Sequence, residues 1–294
     1  MTLASLAPVL AVNAAVVFGL MALAWLWSLL RKDAGLADVF WGLSFVAVAV
    51  ASAVTGDASG PRRLVLVAIV GAWGLRLSIH LAWRNLFAQV HPGSELGERE
   101  DRRYRAMRRR HGARFRWVSA WTVFGRKALL VFVVSLPVQL SLATPGRTDL
   151  YWADWIGIGL FALGMGIEVL ADWQLGTFKL TPGSYDQVLS SGLWRYSRHP
   201  NYFGDAVTWW GIFMVAAAAG PQVLPMALGP ALLTALLVKA ALGDEDLDTR
   251  RPGYDRYRAR TSPFVPLPPR PEPATPRTGD VTARDRELSR ARAS

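Results

Sequence analysis

The sequence lacks several residues and motifs that many enzymes depend on. It contains no cysteine, so it cannot form disulfides, use a thiolate nucleophile or bind a metal through sulfur. Histidine is scarce, and no H-x-x-x-H pair exists, so we expect no metal site. The phosphate-binding motif G-x-x-x-x-G-K-[ST] is missing, and GIGLFALG (157–164) does not complete G-x-G-x-x-G. A soluble nucleotide-binding domain of either type is therefore not predicted.

Long apolar runs are abundant instead, because 52% of the 294 residues are hydrophobic. A bilayer-spanning helix needs about 20 such residues, and the fourth run is the least clean, because Arg126 and Lys127 interrupt it. The first run is interpreted as a retained span and not as a cleaved signal peptide. The sequence predicts an all-α polytopic membrane protein with about seven transmembrane helices, near residues 8–30, 38–55, 64–83, 117–142, 151–172, 202–219 and 222–243.

Acidic residues are fewer than basic ones, and the net charge is +11. The cations concentrate in alternate connections, which predicts an outside N-terminus and a cytoplasmic C-terminus. This topology, with some attraction to anionic lipid, accounts for the charge, so nucleic-acid binding is not expected. We expect an integral protein of the bacterial inner membrane. Within the connection 84–116, EREDRRYRAMRRRHG predicts an interfacial helix that ends at Gly112.

Three regions follow from this pattern. Residues 1–35 contain the first transmembrane helix and a short loop, and residues 36–268 form the main membrane domain. Residues 269–294 are Pro-rich and basic and are expected to be disordered. We find no internal repeat, which argues against a transporter.

Ionisable side chains inside apolar spans are costly and therefore informative. Four-residue steps place most members of each set on one helical face, with Asn85 beside Arg84 and Lys179 seven residues after Asp172, and all lie toward the predicted cytoplasmic ends. The simplest arrangement is a single cavity open to the cytoplasm, and the alternative is mutual ion pairing that only locks the helices together. The residues concerned are Asp38; Arg76, His80, Arg84 and Asn85; Glu168, Asp172 and Lys179; and Asn201, Asp205 and Trp209.

The segment GLWRYSRHPNYFGDAVTWWGIF (192–213) joins a polar loop to an apolar helix. Pro200 suits the first turn of that helix, where its missing N–H costs nothing. The helix N-terminus and the side chains of Arg195, Arg198 and His199 together predict an anion site suited to phosphate. Asn201 and Asp205 would line the wall below it.

At these residues the sequence resembles the steroid 5-alpha-reductase family, and its bacterial membrane branch in particular. The most specific stretch is LWRYSRHPNYFGD (193–205) followed by WWG (209–211). The resemblance covers residues 36–268. Further similar stretches are ADVFWG (37–42), WGLRLSIHLAWRN (73–85), ADWQL (171–175) with Lys179 after it, and RPGYDRYRARTSPFVP (251–266).

The resemblance implies a seven-helix membrane enzyme that uses NADPH from the cytosolic side to reduce a conjugated carbon–carbon double bond in a steroid, sterol or isoprenoid-like lipid. It assigns cofactor binding to residues of the matched motifs. The full cofactor set is Arg84, Asp172, Lys179, Arg195, Arg198, His199, Asn201, Tyr202, Asp205, Tyr254 and Tyr257.

The proton donor remains open among four residues. Steroid enzymes of this family use a glutamate on the second helix and a tyrosine on the third, whereas this third span has no tyrosine. Asp38 is the acid available in the second span, His80 or Tyr104 could donate instead, and a buried Glu168 could carry a proton.

Two other functions stay open. The same superfamily contains isoprenylcysteine carboxyl methyltransferases, which share R-H-P-x-Y and use S-adenosylmethionine. A receptor, scaffold or conducting protein that binds membrane lipid without chemistry is the non-enzymatic alternative.

Overall fold

The computed structural model describes residues 3–86, 100–184, 187–243 and 251–271. Within these ranges the chain is helical and has no β-strand, so the all-α prediction is confirmed. Residues 272–294 of the predicted disordered tail lie outside the described ranges. The α-helices are α1 (Leu3–Arg31), α2 (Leu36–Thr55), α3 (Pro61–Leu86), α4 (Arg102–His111), α5 (Phe115–Ser119), α6 (Arg126–Val134), α7 (Leu136–Ala143), α8 (Trp152–Leu180), α9 (Pro200–Ala217), α10 (Leu228–Leu242) and α11 (Tyr254–Arg260).

Helices cover all of the predicted apolar windows, and the molecule is a membrane protein. Among the described residues, six helical segments are long and apolar enough to cross a bilayer. The window that fails this criterion is α9, whose 18 residues begin with the polar sequence PNYFGD. Its start at Pro200 confirms the predicted helix boundary, whereas α8 continues beyond the predicted end at residue 172 to Leu180.

The fourth window is a series of short pieces and not one straight helix. α5 passes into a π-helical segment, Ala120–Gly125, and α6 follows at Arg126. A second joint lies at Ser135, whose hydroxyl donates to the carbonyl oxygen of Val131 at 2.7 Å. Regular α-helix is therefore interrupted twice in this window, at the π segment and at Ser135.

The helix predicted before this window is also confirmed, while its interfacial position stays a prediction. α4 ends at His111, and Gly112 follows with a φ of +52°. Glycine adopts this left-handed conformation without the steric cost that a Cβ would bring.

The described residues divide into two compact units. The first comprises residues 1–170 and 201–240, and the second comprises residues 171–200 and those from 241 onward.

Aromatic side chains fill the core of the first unit. Phe45, Trp73 and Trp209 are buried, and their ring centroids lie 4.7 to 5.2 Å apart. α2 and α3 approach closely at Gly42 and Gly74, because a Cβ on Gly42 would lie 2.4 Å from the Gly74 carbonyl oxygen. Such small residues allow van der Waals contact between helices where lipid removes the hydrophobic driving force.

One end of the first unit, which we call the Asp38 end, comprises residues 32–38 and α4. The N–H of Ala34 in the α1–α2 turn donates to Glu100 Oε1 at 2.9 Å. α4 is therefore held at the level where α1 ends and α2 begins.

The opposite end, which we call the Arg62 end, comprises residues 56–62 and 142–154. Arg62 and Asp154 are both buried, and Arg62 Nε donates to Asp154 Oδ1 at 2.8 Å while Arg62 Nη2 donates to Oδ2 at 2.9 Å. Arg62 also donates to the backbone carbonyl oxygen of Arg147. This satisfied ion pair joins the first turns of α3 and α8.

The second unit is held together by hydrogen bonds to the backbone. The Tyr257 hydroxyl, on α11, donates to the Trp194 carbonyl oxygen at 2.6 Å. The Ser197 hydroxyl donates to the Phe264 carbonyl oxygen at 2.7 Å. These bonds fix the loop before α9 against α11 and the segment that follows it.

Candidate functional site

A buried carboxylate lies among cationic and hydroxyl side chains in the first unit. Asp38 is 6% exposed, and its Oδ1 accepts hydrogen bonds from Lys127 Nζ at 2.7 Å and from the Tyr104 hydroxyl at 2.8 Å. Its Oδ2 faces the guanidinium groups of Arg84 at 3.5 Å and Arg103 at 3.4 Å. A carboxylate is tolerated in such a place only when cations and donors compensate its lost hydration. Two predicted catalytic residues, Asp38 and Tyr104, are thus in direct contact.

The placement of Tyr104 depends on how α4 begins and docks. Asp101 caps the helix, since its Oδ1 accepts from the Arg103 N–H at 2.9 Å, a standard N-cap arrangement. Glu100, which is 2% exposed, accepts from Arg108 Nη2 at 2.7 Å. These contacts orient α4 so that Tyr104 is buried and reaches Asp38.

Lys127 belongs to this group, although sequence reasoning did not assign it a role. It is the second residue of α6, which begins right after the π-helical segment, and its Nζ lies 5.1 Å from the centroid of the Trp41 ring, within cation–π range. π-helical turns occur often at functional sites. The interruption of the fourth apolar window by Arg126 and Lys127 was the signal that could have identified it, because an ionisable residue there is costly unless it has a partner.

Besides the Arg62–Asp154 pair, another ion pair in the first unit joins α3 to α8. Arg76 Nη1 lies 2.5 Å from Glu168 Oε1, and Glu168 is 3% exposed. This pair is an instance of the mutual ion pairing that the sequence left open as an alternative to a cavity. The pair gives Glu168 a structural partner, and its predicted proton-carrying role stays a prediction.

The start of α9 packs directly on the turn of α8 that carries Glu168. A Cβ on Gly204 would lie 2.6 Å from the backbone nitrogen of Glu168. Gly204 stands between Asn201 and Asp205 in sequence, and both of these side chains are half-buried. The predicted cofactor residue Tyr202 is also half-buried on α9.

His80, the remaining predicted donor of the first unit, is half-buried on α3. It stands one turn before Arg84 in the same helix, as the spacing predicts. Its role in proton transfer stays a prediction.

A cavity of about 570 Å³ lies in the second unit. Its lining includes the side chains of Arg195, Arg256 and Arg260, together with Ser191 and Thr261. Guanidinium groups bind phosphate oxygens bidentately, and hydroxyls can add single hydrogen bonds. The composition of this cavity therefore suits a phosphorylated ligand. Arg256 and Arg260 were not among the predicted site residues.

Of the two predicted tyrosines of α11, Tyr257 lines this cavity and Tyr254 packs beside it. Tyr254 and Tyr257 are buried on α11, and their ring centroids lie 5.6 Å apart. Gly253 precedes them with a φ of +81°, and Gly192 across the cavity has a φ of +59°. Both glycines take left-handed conformations that other residues rarely adopt, so the walls depend on glycine at these points.

Arg198 and His199 make backbone contacts that hold the second unit together. Arg198 is 8% exposed, and its Nη1 donates to the Arg258 carbonyl oxygen at 3.0 Å. His199 Nδ1 lies 3.2 Å from the Pro263 carbonyl oxygen. These contacts fix the turn before α9, while the predicted binding of phosphate by the two side chains stays a prediction.

The last predicted residues of the second unit lie on α8. Asp172 is buried and Lys179 is exposed in the final turn of the helix. Both therefore lie on one continuous helix with Glu168, as their spacing predicted.

Comparisons with known proteins add a family but no activity. A curated relative, the uncharacterized protein C594.04c of Schizosaccharomyces pombe, is 24% identical over 116 residues. That match covers 33% of this chain and 34% of the relative, so the chain spans about a third of that protein's length. No solved structure matches the chain significantly.

The model of one protein family, described as a protein of unknown function (DUF1295), matches residues 24–261. The match includes Asp38, Tyr104 and Lys127 as well as the arginines of the second-unit cavity. Because it spans most of the sequence, the chain belongs to the DUF1295 family.

Proposed function

We propose that the protein is an integral membrane reductase that uses NADPH to saturate a conjugated carbon–carbon double bond in a steroid, sterol or isoprenoid-like lipid. The observation that carries the proposal is the contact of Tyr104 and Lys127 with the buried carboxylate of Asp38. The resemblance of residues 36–268 to the steroid 5-alpha-reductase family supports the same reaction.

The group around Asp38 has the chemistry that such a reduction requires. Bound NADPH would supply the hydride for the carbon β to the activating carbonyl, and negative charge would develop on the carbonyl oxygen. The Tyr104 hydroxyl would donate its proton to that oxygen, because it can turn from Asp38 to the substrate. The enol formed in this way would become the saturated ketone by losing the proton on oxygen and gaining one from water at the carbon α to the carbonyl. Lys127 can then return a proton towards Tyr104 through Asp38, since both donate to the same carboxylate oxygen.

The second unit supplies a site that fits the phosphates of the cofactor. Its volume of about 570 Å³ lies within the range of roughly 300–1,000 Å³ that is usual for ligand pockets. Arg195, Arg256 and Arg260 would hold phosphate oxygens there. Asp172, Asn201 and Asp205 are proposed to hold ribose or carboxamide groups, as the family motifs imply.

We also propose that the Asp38 end faces the cytoplasm of a bacterial cell. The exposed arginines of α4 lie at this end, and basic residues are retained on the cytoplasmic side of a membrane. The lipid substrate would enter from the bilayer and the cofactor from the cytoplasm.

The proposal is tested with the full chain purified in a neutral detergent. We expect micromolar NADPH binding and NADPH oxidation, followed at 340 nm, with at least one member of a panel of α,β-unsaturated lipid ketones. Tyr104→Phe should lower kcat by about a hundredfold or more and leave the dissociation constant of NADPH unchanged. Tyr151→Phe, at the Arg62 end, is the matched control and should retain activity. Absence of NADPH binding to the parent protein would overturn the proposal.

Methyl transfer from S-adenosylmethionine is the second candidate, and one observation favours it. Arg84, Arg103 and Lys127 face the carboxylate of Asp38, and Arg103 also pairs with Asp101. Three cations thus meet two carboxylates, which leaves one positive charge that could bind a carboxylate substrate. Calorimetry with each cofactor separates the candidates: binding of S-adenosylmethionine without binding of NADPH would select methyl transfer.

A further inference from the structure

Exposed arginines cluster on α4 and on the residues that follow it. We define the α4 basic surface by its exposed members Arg102, Arg109, Arg110, Arg114 and Arg116. The two carboxylates of this segment are already engaged, Glu100 by Arg108 and Asp101 by Arg103. Within the described part of the chain, no ion pair involves a member of the surface. The charge is therefore available to an external partner.

The contacts of α4 fix the height of this surface relative to the bilayer. Arg108 Nη2 donates to the carbonyl oxygen of Lys32 at 3.2 Å, and Glu100 accepts from the Ala34 N–H. The Lys32 carbonyl and the Ala34 N–H both lie in the turn between α1, which ends at Arg31, and α2, which begins at Leu36. Because both helices span the membrane, α4 lies at the boundary between hydrocarbon and water.

Tryptophan side chains mark the same boundary. Trp117 is 63% exposed directly after the basic surface, and the Arg116 guanidinium carbon lies 5.4 Å from its ring centroid. The Trp25 ring of α1 lies 5.9 Å from Trp117, and its Nε1 donates to the Arg116 carbonyl oxygen at 2.9 Å. Tryptophan is enriched at the headgroup level of membranes because its ring is apolar and its N–H is polar.

We propose that the α4 basic surface binds the headgroups of anionic phospholipids, that is, phosphodiesters without a neutralising amine. Arginine fits phosphate bidentately, and juxtamembrane cations are attracted to anionic leaflets. A soluble polyanion such as RNA would not account for the exposed tryptophans beside the arginines. α4 also carries Tyr104, so bound lipid would hold Tyr104 against Asp38; this consequence alone rests on the proposed function.

The test measures lipid binding and needs no activity. The full chain is delipidated in a neutral detergent and titrated with phosphatidylglycerol or phosphatidylcholine of the same acyl chains, and bound lipid is counted by native mass spectrometry. The parent should bind phosphatidylglycerol preferentially. Arg109→Gln/Arg110→Gln should weaken this binding about twenty-five-fold, at roughly fivefold for each arginine. Binding by the parent should also weaken in 0.5 M salt.

The matched control is Arg63→Gln/Arg147→Gln, which removes the same charge at the Arg62 end and should bind phosphatidylglycerol like the parent. Equal binding by both double variants, or equal loss in both, would overturn the proposal. So would binding of a single-stranded RNA that phosphatidylglycerol does not displace. The melting temperature of Arg109→Gln/Arg110→Gln is also measured without lipid. If it is below that of the parent, the single variant Arg114→Gln, which lies outside α4, replaces this double variant and is compared with Arg147→Gln.

Discussion

At the scale of single residues, Asp38 has the most contacts with other ionisable groups in the first unit. Four side chains from three other helices approach its two oxygens. The free energy of unfolding should depend strongly on this group, because removing one partner leaves a buried charge with less compensation.

We expect Lys127→Met to lower the free energy of unfolding by about 3 kcal/mol. This value is at the lower end of the range measured when a buried ion pair loses one partner, because Arg84 and Arg103 still compensate the charge of Asp38. Thermal melting in detergent measures the loss. Adding Asp38→Asn to this variant should recover part of it, since the carboxylate that needs the cation is then gone. Lys239→Met, at an exposed position on α10, is the control. Identical melting temperatures for the single and double variants would contradict the assigned coupling.

Asp33, in the turn before α2, makes stability depend on pH. Burial raises the pKa of Asp33 above its ordinary value of 3.8, with smaller contributions from Glu100 and Asp38, while the Gly35 N–H opposes the shift. The folded state therefore favours the protonated form of Asp33. The stability that this raised pKa contributes is fully present below pH 3.8, and it is lost as the pH rises from 3.8 through the raised pKa.

Asp33→Asn should consequently raise the melting temperature at pH 7 and change it little at pH 3.5. An Asn can still accept the Gly35 N–H that Asp33 Oδ1 accepts at 2.7 Å, so the turn should survive. The exposed Asp57→Asn is the matched substitution. A larger gain in melting temperature at pH 3.5 than at pH 7 would contradict a raised pKa of Asp33 in the folded protein.

At the scale of secondary-structure elements, glycine spacing determines how closely α8 and α9 pack. A Cβ on Gly164 would lie 2.4 Å from the backbone nitrogen of Thr208, and one on Gly204 would lie 2.6 Å from that of Glu168. Both neighbours are backbone atoms, which cannot rotate away as a side chain can. The position of Glu168 relative to the start of α9 therefore depends on these two glycines.

Gly164→Ala should destabilise the protein by about 1–3 kcal/mol through overpacking. Gly166→Ala on the same helix meets no atom within 4 Å and should be neutral or stabilising by about 1 kcal/mol, because alanine is the better helix former. The two melting temperatures, compared with the parent, provide the check. A tolerated Gly164→Ala would mean that α8 and α9 can separate at no cost.

At the scale of the whole molecule, the two polar ends of the first unit differ in charge. The Asp38 end carries the α4 basic surface, whereas the buried Arg62 of the Arg62 end is neutralised by Asp154. This asymmetry predicts the orientation of the protein in the membrane.

Because the chain has no cysteine, single cysteines report this orientation without background. We expect Thr148→Cys to react with a membrane-impermeant maleimide in intact cells and Arg109→Cys to react only after permeabilisation. Both positions are exposed. The opposite labelling pattern would place the Asp38 end outside and remove the proposed cytoplasmic cofactor site.

The sequence by itself determined the class of fold and several helix boundaries. Apolar windows of membrane length, Pro200 at the start of α9 and Gly112 after α4 were all readable, because hydropathy and the conformational limits of proline and glycine act locally. The same local argument placed Glu168, Asp172 and Lys179 on one helix.

Only the tertiary structure decided which of these polar residues touch. Asp38 meets Tyr104 at a sequence separation of 66 residues and Lys127 at one of 89, and Arg76 meets Glu168 at one of 92. Sequence spacing determines which residues share a helical face, but it does not determine which other helix that face contacts. For Asp38, the contacting side chains depend on the π-helical turn before Lys127 and on the docking of α4. The cavity arginines Arg256 and Arg260 were missed for the same reason, because the folding of α11 against the loop before α9 creates the cavity that they line.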